Sequence, residues 1–110
     1  MTPEHSLEEL KWVGVDFDGV LAEGIWPDRG IGEPIERNIQ KMGYLARVGF
    51  EPVIHTSRPW SDYKRLEKWL QQNDIPYHAI MCGKLLCRAY IDDRAINSEE
   101  PMWINKIPEY

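Results

Sequence analysis

The sequence predicts a single α/β domain built on a small, open parallel sheet with flanking helices. Short apolar segments of strand-forming residues alternate along the chain with segments whose apolar residues recur at helical spacing. Strands that are separated by helices usually pair in parallel through right-handed crossovers. The 110 residues are enough for one core, so one domain is assigned to residues 1–110.

The first strand is predicted at residues 11–17, a short run that is mostly apolar and strand-forming. Its lack of alternation indicates a strand that is covered on both faces, as in a parallel sheet. Residues 22–33 follow, with four prolines and glycines and no helical period, so they are predicted to form a loop. A loop of about a dozen residues in a compact domain is more often functional than idle.

Two helices and three further strands are predicted downstream. The first helix begins at Pro34 and ends near Gly49, since proline suits a first turn and glycine a C-terminal stop. Its apolar face is predicted to consist of Ile35, Ile39, Met42 and Ala46. The second helix covers residues 59–72. The strands are expected at residues 51–56, 77–81 and 88–91.

Composition narrows the classes of function. The net charge of −5 argues against a broad nucleic-acid surface, although Arg58, Lys64 and Arg65 could form a local basic patch. Cys82 and Cys87 are too few for a disulfide scaffold and lack the companion ligands of a zinc site, so reduced, partly buried thiols are expected. No apolar segment approaches the ~20 residues that span a bilayer, and no secretory signal is visible. A cytoplasmic protein without membrane contacts is therefore expected.

Acidic residues and phosphate-binding candidates follow three of the predicted strands. These residues are Asp16 and Asp18 after the first strand, Thr56, Ser57 and Arg58 after the second, and Asp92 and Asp93 after the fourth. Because ligands bind at the carboxyl ends of the strands in open α/β sheets, all three groups are expected at one edge. Neighbouring like charges need a cation, and oxygen ligands without His or Cys suit Mg²⁺. The four aspartates are therefore predicted to form a magnesium site.

The neutral and basic residues fit a phosphoryl group. Thr56 and Ser57 offer hydroxyl and N–H donors just before a helix, whose N-terminal dipole favours anions. Lys84 precedes Asp92 by eight residues and could reach both a carboxylate and a phosphate. A nucleophile, a metal and positive charge on the phosphoryl oxygens are what phosphoryl transfer requires. Arg58 is compatible with either a phosphate contact or a surface ion pair.

These residues resemble a known family. DFDGVL (16–21), HTSR (55–58), Lys84 and YIDDRA (90–95) resemble the four motifs of the haloacid dehalogenase (HAD) superfamily, which are Mg²⁺-dependent phosphohydrolases. The resemblance extends over residues 11–96 and implies a small HAD-like Rossmannoid fold. The first motif is specific, whereas the second and third gain weight only from their order and spacing.

The resemblance also implies a role for each matching residue. Asp16 would be the nucleophile, and Asp18 the general acid/base that also gives its backbone carbonyl to Mg²⁺. Thr56 would bind phosphate and Lys84 would stabilise the transferred charge. Asp92 would be a metal ligand, and Asp93 the second member of that acidic pair.

The chain departs from the family pattern because residues 22–33 form only a loop, so no cap domain is expected. An open site suits a large substrate, a loosely selective enzyme, or a site that a second subunit closes, and an oligomer is possible. Trp26 in this loop is either a core anchor or a lid over the site. His55 is expected to be packed inside the second strand.

The expected function is a Mg²⁺-dependent phosphomonoesterase that works through phospho-Asp16. A phosphorylated small molecule is the favoured substrate: a nucleotide or a sugar phosphate fits, and a polynucleotide 3′-phosphate fits less well with the acidic balance. The alternative is a module that binds a phosphorylated ligand or partner in the same pocket without turnover. A phospho-acceptor receiver domain is disfavoured, because its acceptor aspartate should follow the third strand, which here ends in MCG (81–83).

Overall fold

The computed structural model describes residues 10–26 and 30–108. The described chain contains three strands and two α-helices in the order β1 (Trp12–Val15), α1 (Glu36–Arg47), β2 (Glu51–His55), α2 (Tyr63–Gln72) and β3 (Ala79–Met81). Short 3-10 helices lie at Trp60–Asp62 and Trp103–Lys106. Within these described ranges, no helix is long and apolar enough to cross a membrane.

The strands form an open parallel sheet in the order β1-β2-β3. Val15 pairs with Ile54, which in turn pairs with Ile80. The prediction of a small α/β fold with a parallel sheet is confirmed, and the architecture is Rossmann-like. The described part of residues 22–33 contains no helix, as predicted, and residues 27–29 of that loop lie outside the described residues.

The prediction of a fourth strand at residues 88–91 is wrong, because this segment has no regular secondary structure. After β3 the chain turns over the loop that follows β2, because the Gly83 N–H donates to the Arg58 carbonyl and the Lys84 N–H to the Thr56 carbonyl. The segment therefore finds no strand to pair with, and Ile91 is fully exposed. A short apolar run forms a strand only where a partner edge is within reach.

Both helices contribute to one core on one face of the sheet. Met42 and Leu45 of α1 and Leu66 and Leu70 of α2 belong to a single buried cluster that also contains Val15, Ile54 and Ile80. The residues that alternate with these point to the other face. There Trp12, His55 and Met81 are exposed, so the expected burial of the first strand on both faces, and of His55, is wrong.

The buried face of α1 is rotated relative to the prediction. Ile35 and Met42 are buried as expected, but Ala46 is exposed and Asn38 is buried instead. The Asn38 amide donates to the Val20 carbonyl at 2.8 Å and accepts from the Trp103 indole N–H at 3.0 Å. One polar side chain thereby ties α1 to both the loop after β1 and the C-terminal 3-10 helix.

Candidate active site

Three strand ends meet at the carboxyl edge of the sheet. Asp16 directly follows β1, Thr56 directly follows β2, and Lys84 follows β3 after two residues. The Thr56 N–H donates to the Met81 carbonyl at 2.9 Å, and the Lys84 N–H donates to the Thr56 carbonyl at 2.9 Å. These backbone bonds extend the β2–β3 pairing into the loops. The expected meeting of the first and second strand ends is confirmed, and Lys84 joins them from β3.

Asp16 presents one carboxylate oxygen to this edge. Its Oδ1 accepts a hydrogen bond from the Phe17 N–H at 2.7 Å. Its Oδ2 lies 3.8 Å from the Lys84 Nζ, and the Asp16 side chain is 42% exposed. The backbone therefore holds one oxygen, while the other faces a cation at a position that a ligand can reach.

Asp18 does not share that environment, because it is bound to Arg58. The Arg58 Nε donates to Asp18 Oδ2 at 2.9 Å, and Nη2 donates to Asp18 Oδ1 at 2.8 Å. Nη2 also donates to the Gly30 carbonyl at 2.7 Å, and Nη1 to Asp62 Oδ2 at 3.1 Å. The positive charge beside Asp18 is therefore the guanidinium of Arg58, a side chain of the protein itself.

Arg58 is fully buried, so its predicted role as a phosphate contact is not supported. Burial alone would lower the pKa of its guanidinium, but the hydrogen bonds and charges of Asp18 and Asp62 raise that pKa above its ordinary value. The aromatic rings of Phe17 and Trp26 lie 5.5 and 5.9 Å from the Arg58 Cζ. Trp26 thus lies against the Arg58 guanidinium, and the choice between a core anchor and a lid stays a prediction.

Thr56 and Ser57 differ in accessibility. The Thr56 hydroxyl oxygen accepts the Arg58 N–H at 3.1 Å and the residue is buried, so Thr56 stabilises the turn after β2. Ser57 is half-buried. The helix expected to begin at residue 59 is a 3-10 turn at Trp60–Asp62, and α2 begins only at Tyr63. The dipole of α2 is therefore further from these hydroxyls than predicted.

The four predicted metal-binding aspartates do not come together. Asp92 and Asp93 are exposed, and the Asp92 Oδ1 accepts the Arg94 N–H at 2.7 Å in a local turn. Among residues 10–26 and 30–108, no group of three or more His, Cys, Asp and Glu side chains could hold a metal ion. This follows from the missing fourth strand, which was to carry Asp92 and Asp93 to the edge.

The donor set that the edge does offer is smaller than the predicted four carboxylates. Mg²⁺ is often held by one or two carboxylates, with water and substrate phosphate as its other ligands. Asp16 has an accessible carboxylate of this kind, whereas both Asp18 oxygens are occupied by Arg58. A single accessible carboxylate does not make up a metal-binding group among the described residues, so Mg²⁺ binding at this edge stays a prediction.

Tyr90 is a neighbour of the site that the sequence analysis missed. Its ring centroid lies 4.6 Å from the Lys84 Nζ, and its hydroxyl donates to the Leu85 carbonyl. The Ser57 and Cys87 side chains also adjoin this hydroxyl, and its pKa is raised, mainly by desolvation. No spacing rule relates Tyr90 to Lys84, because both lie in a segment without regular structure.

The two thiols differ from each other. Both are free, but Cys82 is buried whereas Cys87 is exposed. Burial raises the pKa of the Cys82 thiol, and the Asp62 charge adds to this effect. Partial burial was therefore predicted correctly for Cys82 alone.

Comparison with known proteins supports the fold. A crystal structure of a Vibrio cholerae protein, described only as an MCSG target, superposes with a TM-score of 0.70 and is 28% identical in sequence. The match covers 87% of this chain and 98% of the Vibrio protein. No family model matches the chain. No curated protein matches it either.

Proposed function

We propose that the protein is a Mg²⁺-dependent phosphomonoesterase of the HAD type that forms a phosphoryl intermediate on Asp16. The observation that carries this proposal is the position of Asp16 Oδ2, which faces Lys84 at the carboxyl edge of the sheet. A carboxylate with one oxygen held by a backbone N–H and the other beside a cation suits a nucleophile for phosphorus.

The proposed reaction has two steps. Asp16 Oδ2 attacks phosphorus, and the bond from phosphorus to the ester oxygen breaks, so the alcohol leaves after it gains a proton. Water then attacks the same phosphorus and gives up a proton. The bond from phosphorus to Oδ2 breaks, which releases inorganic phosphate and restores the carboxylate.

Positive charge at the phosphoryl oxygens would come from two sources. Lys84 is the protein's own cation, with its ammonium already turned toward Asp16. Mg²⁺, when bound, would supply further positive charge that offsets the charge on these oxygens. Ser57, the second residue after β2, is half-buried and would offer a hydroxyl to the same group.

Asp18 is the weakest member of the catalytic set. As general acid/base it would give a proton to the leaving oxygen, but both of its oxygens accept hydrogen bonds from Arg58. This two-point contact ties the Asp18 carboxylate to Arg58. This observation favours the second candidate function, a module that binds phosphorylated ligands without turnover.

Phosphate release distinguishes the two functions. Purified protein is assayed on a panel of phosphomonoesters with Mg²⁺ and, separately, with excess chelator. We expect turnover that chelation stops and that Asp16→Asn lowers by about a thousandfold or more. The control is Asp74→Asn, an exposed aspartate whose positive φ of 53° asparagine also accepts. Phosphate binding without release from any ester would instead support the binding module.

A further inference from the structure

Two exposed aromatic side chains border the turn that carries Lys84. Tyr90 is 48% exposed, and its ring lies over the Lys84 ammonium. Trp60 is 55% exposed, and its indole Nε1 lies 3.5 Å from the position that a Cβ on Gly83 would occupy. Both rings therefore adjoin consecutive residues of the same turn, next to the carboxylate of Asp16.

Trp60 contributes little to the core. It is not part of the buried cluster, and it stacks on Tyr63 at a centroid distance of 6.1 Å with an interplanar angle of 17°. Leu85, whose carbonyl accepts the Tyr90 hydroxyl, and the adjacent Leu86 are 70% and 69% exposed. Large apolar side chains that are exposed together mark interaction surfaces.

The chemistry of this rim favours a planar, apolar leaving group. A sugar phosphate presents several hydroxyls, which need polar partners when they are desolvated. The rim of Trp60, Leu85, Leu86 and Tyr90 supplies mainly apolar and aromatic surface. A nucleobase presents a π-face to such rings whatever its hydrogen-bonding edge.

Charge disfavours a long polyanion. Arg58 is buried, Lys64 lies 3.8 Å from Glu67, and Arg65 lies 3.8 Å from Asp62. The basic patch that the sequence suggested therefore has one member inside the protein and two beside carboxylates. A net charge of −5 adds to this argument, so a single nucleotide fits better than a polynucleotide.

We propose that the site takes nucleoside monophosphates, with Trp60 and Tyr90 as specificity-determining residues that pack against the base. This inference rests on the proposed function for the placement of the phosphate between Asp16 and Lys84. It assigns the base to the exposed aromatic rim and distinguishes nucleotides from the sugar phosphates that the sequence left equally open.

A binding experiment tests the inference without turnover. Asp16→Asn protein with Mg²⁺ is titrated calorimetrically with AMP and with ribose 5-phosphate, which share phosphate and ribose and differ by the base. We expect AMP to bind at least about fivefold more tightly. In the same background, Trp60→Leu should remove that preference and leave the affinity for ribose 5-phosphate unchanged, and Tyr90→Leu should also remove the preference. Tyr44→Leu, which alters an exposed aromatic residue on α1, is the matched control.

The outcomes separate this inference from the proposed function. Equal affinity for the two compounds, or binding of neither, would overturn the base site, whereas Asp16-dependent phosphate release from other esters would leave the phosphatase intact. A base preference that both leucine variants retain would overturn the roles of Trp60 and Tyr90. A base preference in a wild-type protein that releases no phosphate would contradict the phosphatase alone. The unchanged affinity for ribose 5-phosphate reports that the Trp60 variant is folded, and circular dichroism reports the same for the Tyr90 variant.

Discussion

Arg58 is the residue on which the geometry beneath the site depends. It is fully buried and joins Asp18, Asp62 and the Gly30 carbonyl, so one side chain connects the end of β1, the turn before α2 and the long loop. A buried ion pair need not stabilise a fold relative to apolar residues, but removing one partner leaves an uncompensated charge. Asp18 would be that charge.

Replacement of Arg58 tests this dependence. We expect Arg58→Met to lower the free energy of unfolding by about 3–5 kcal/mol, because Asp18 loses both of its charged hydrogen bonds. The control is Arg65→Met, which removes a longer, exposed contact to the same Asp62 and should cost under about 1 kcal/mol. Chemical denaturation measures both, and similar losses in the two variants would argue against a central role for Arg58.

Among the secondary-structure elements, α1 is held against the rest of the fold by buried hydrogen bonds as well as by its apolar face. Asn38 is buried, donates to the Val20 carbonyl and accepts from the Trp103 indole. Val20 belongs to the loop after the site aspartates, and Trp103 to the C-terminal 3-10 helix. A single amide thus positions the loop that begins at the site.

Asn38→Leu should destabilise the protein although it adds an apolar side chain. The Val20 carbonyl and the Trp103 N–H would each lose a partner, at about 1–3 kcal/mol per orphaned buried group. The control is Asn105→Leu, at an exposed position on the 3-10 helix that carries Trp103. It should change the free energy of unfolding by about 0.5 kcal/mol or less. An Asn38→Leu protein as stable as wild type in urea titration would show that these hydrogen bonds contribute nothing net.

The segment after β3 carries the two aspartates that lie outside the proposed magnesium site. With Asp92 and Asp93 exposed and outside any metal-binding group, we expect Asp92→Asn and Asp93→Asn to leave the Mg²⁺ concentration for half-maximal phosphate release unchanged within about twofold. A rise of tenfold or more in either variant would favour the four-carboxylate site that the sequence predicted. Magnesium titration of the initial rate supplies the comparison.

Over the whole molecule, the features predicted correctly from the sequence are those that depend on apolar periodicity and on the positions of strand ends. Alternation of apolar runs and helical faces predicted the parallel sheet, and the rule for strand ends placed Asp16 and Thr56 at the same edge of it. The pairing of Asp18 with Arg58 spans 40 residues and could not be inferred, since an arginine after a strand suits a phosphate equally well. The prediction of a strand at residues 88–91 was wrong because a strand-like pattern does not indicate whether a free sheet edge is near.

Tertiary packing also explains two further errors, the expected burial of the sheet on both faces and the missed contact of Tyr90. Burial on both faces of the sheet needs helices on both sides, and the two helices of the described chain share one core instead. Tyr90 was missed because its contact with Lys84 depends on the path of an irregular segment. Local pattern therefore located the candidate nucleophile and Lys84, but not Tyr90 or the ion pair of Asp18 with Arg58.

The central claim, that Asp16 is the nucleophile, is tested most directly by trapping its phosphoryl form. Protein turning over a phosphomonoester with Mg²⁺ is quenched in acid, digested, and analysed for phosphate by peptide mass spectrometry. We expect phosphate on the peptide that contains Asp16 in the wild type and none in Asp16→Asn. Turnover with no phosphorylated peptide, or with phosphate on another residue, would contradict it.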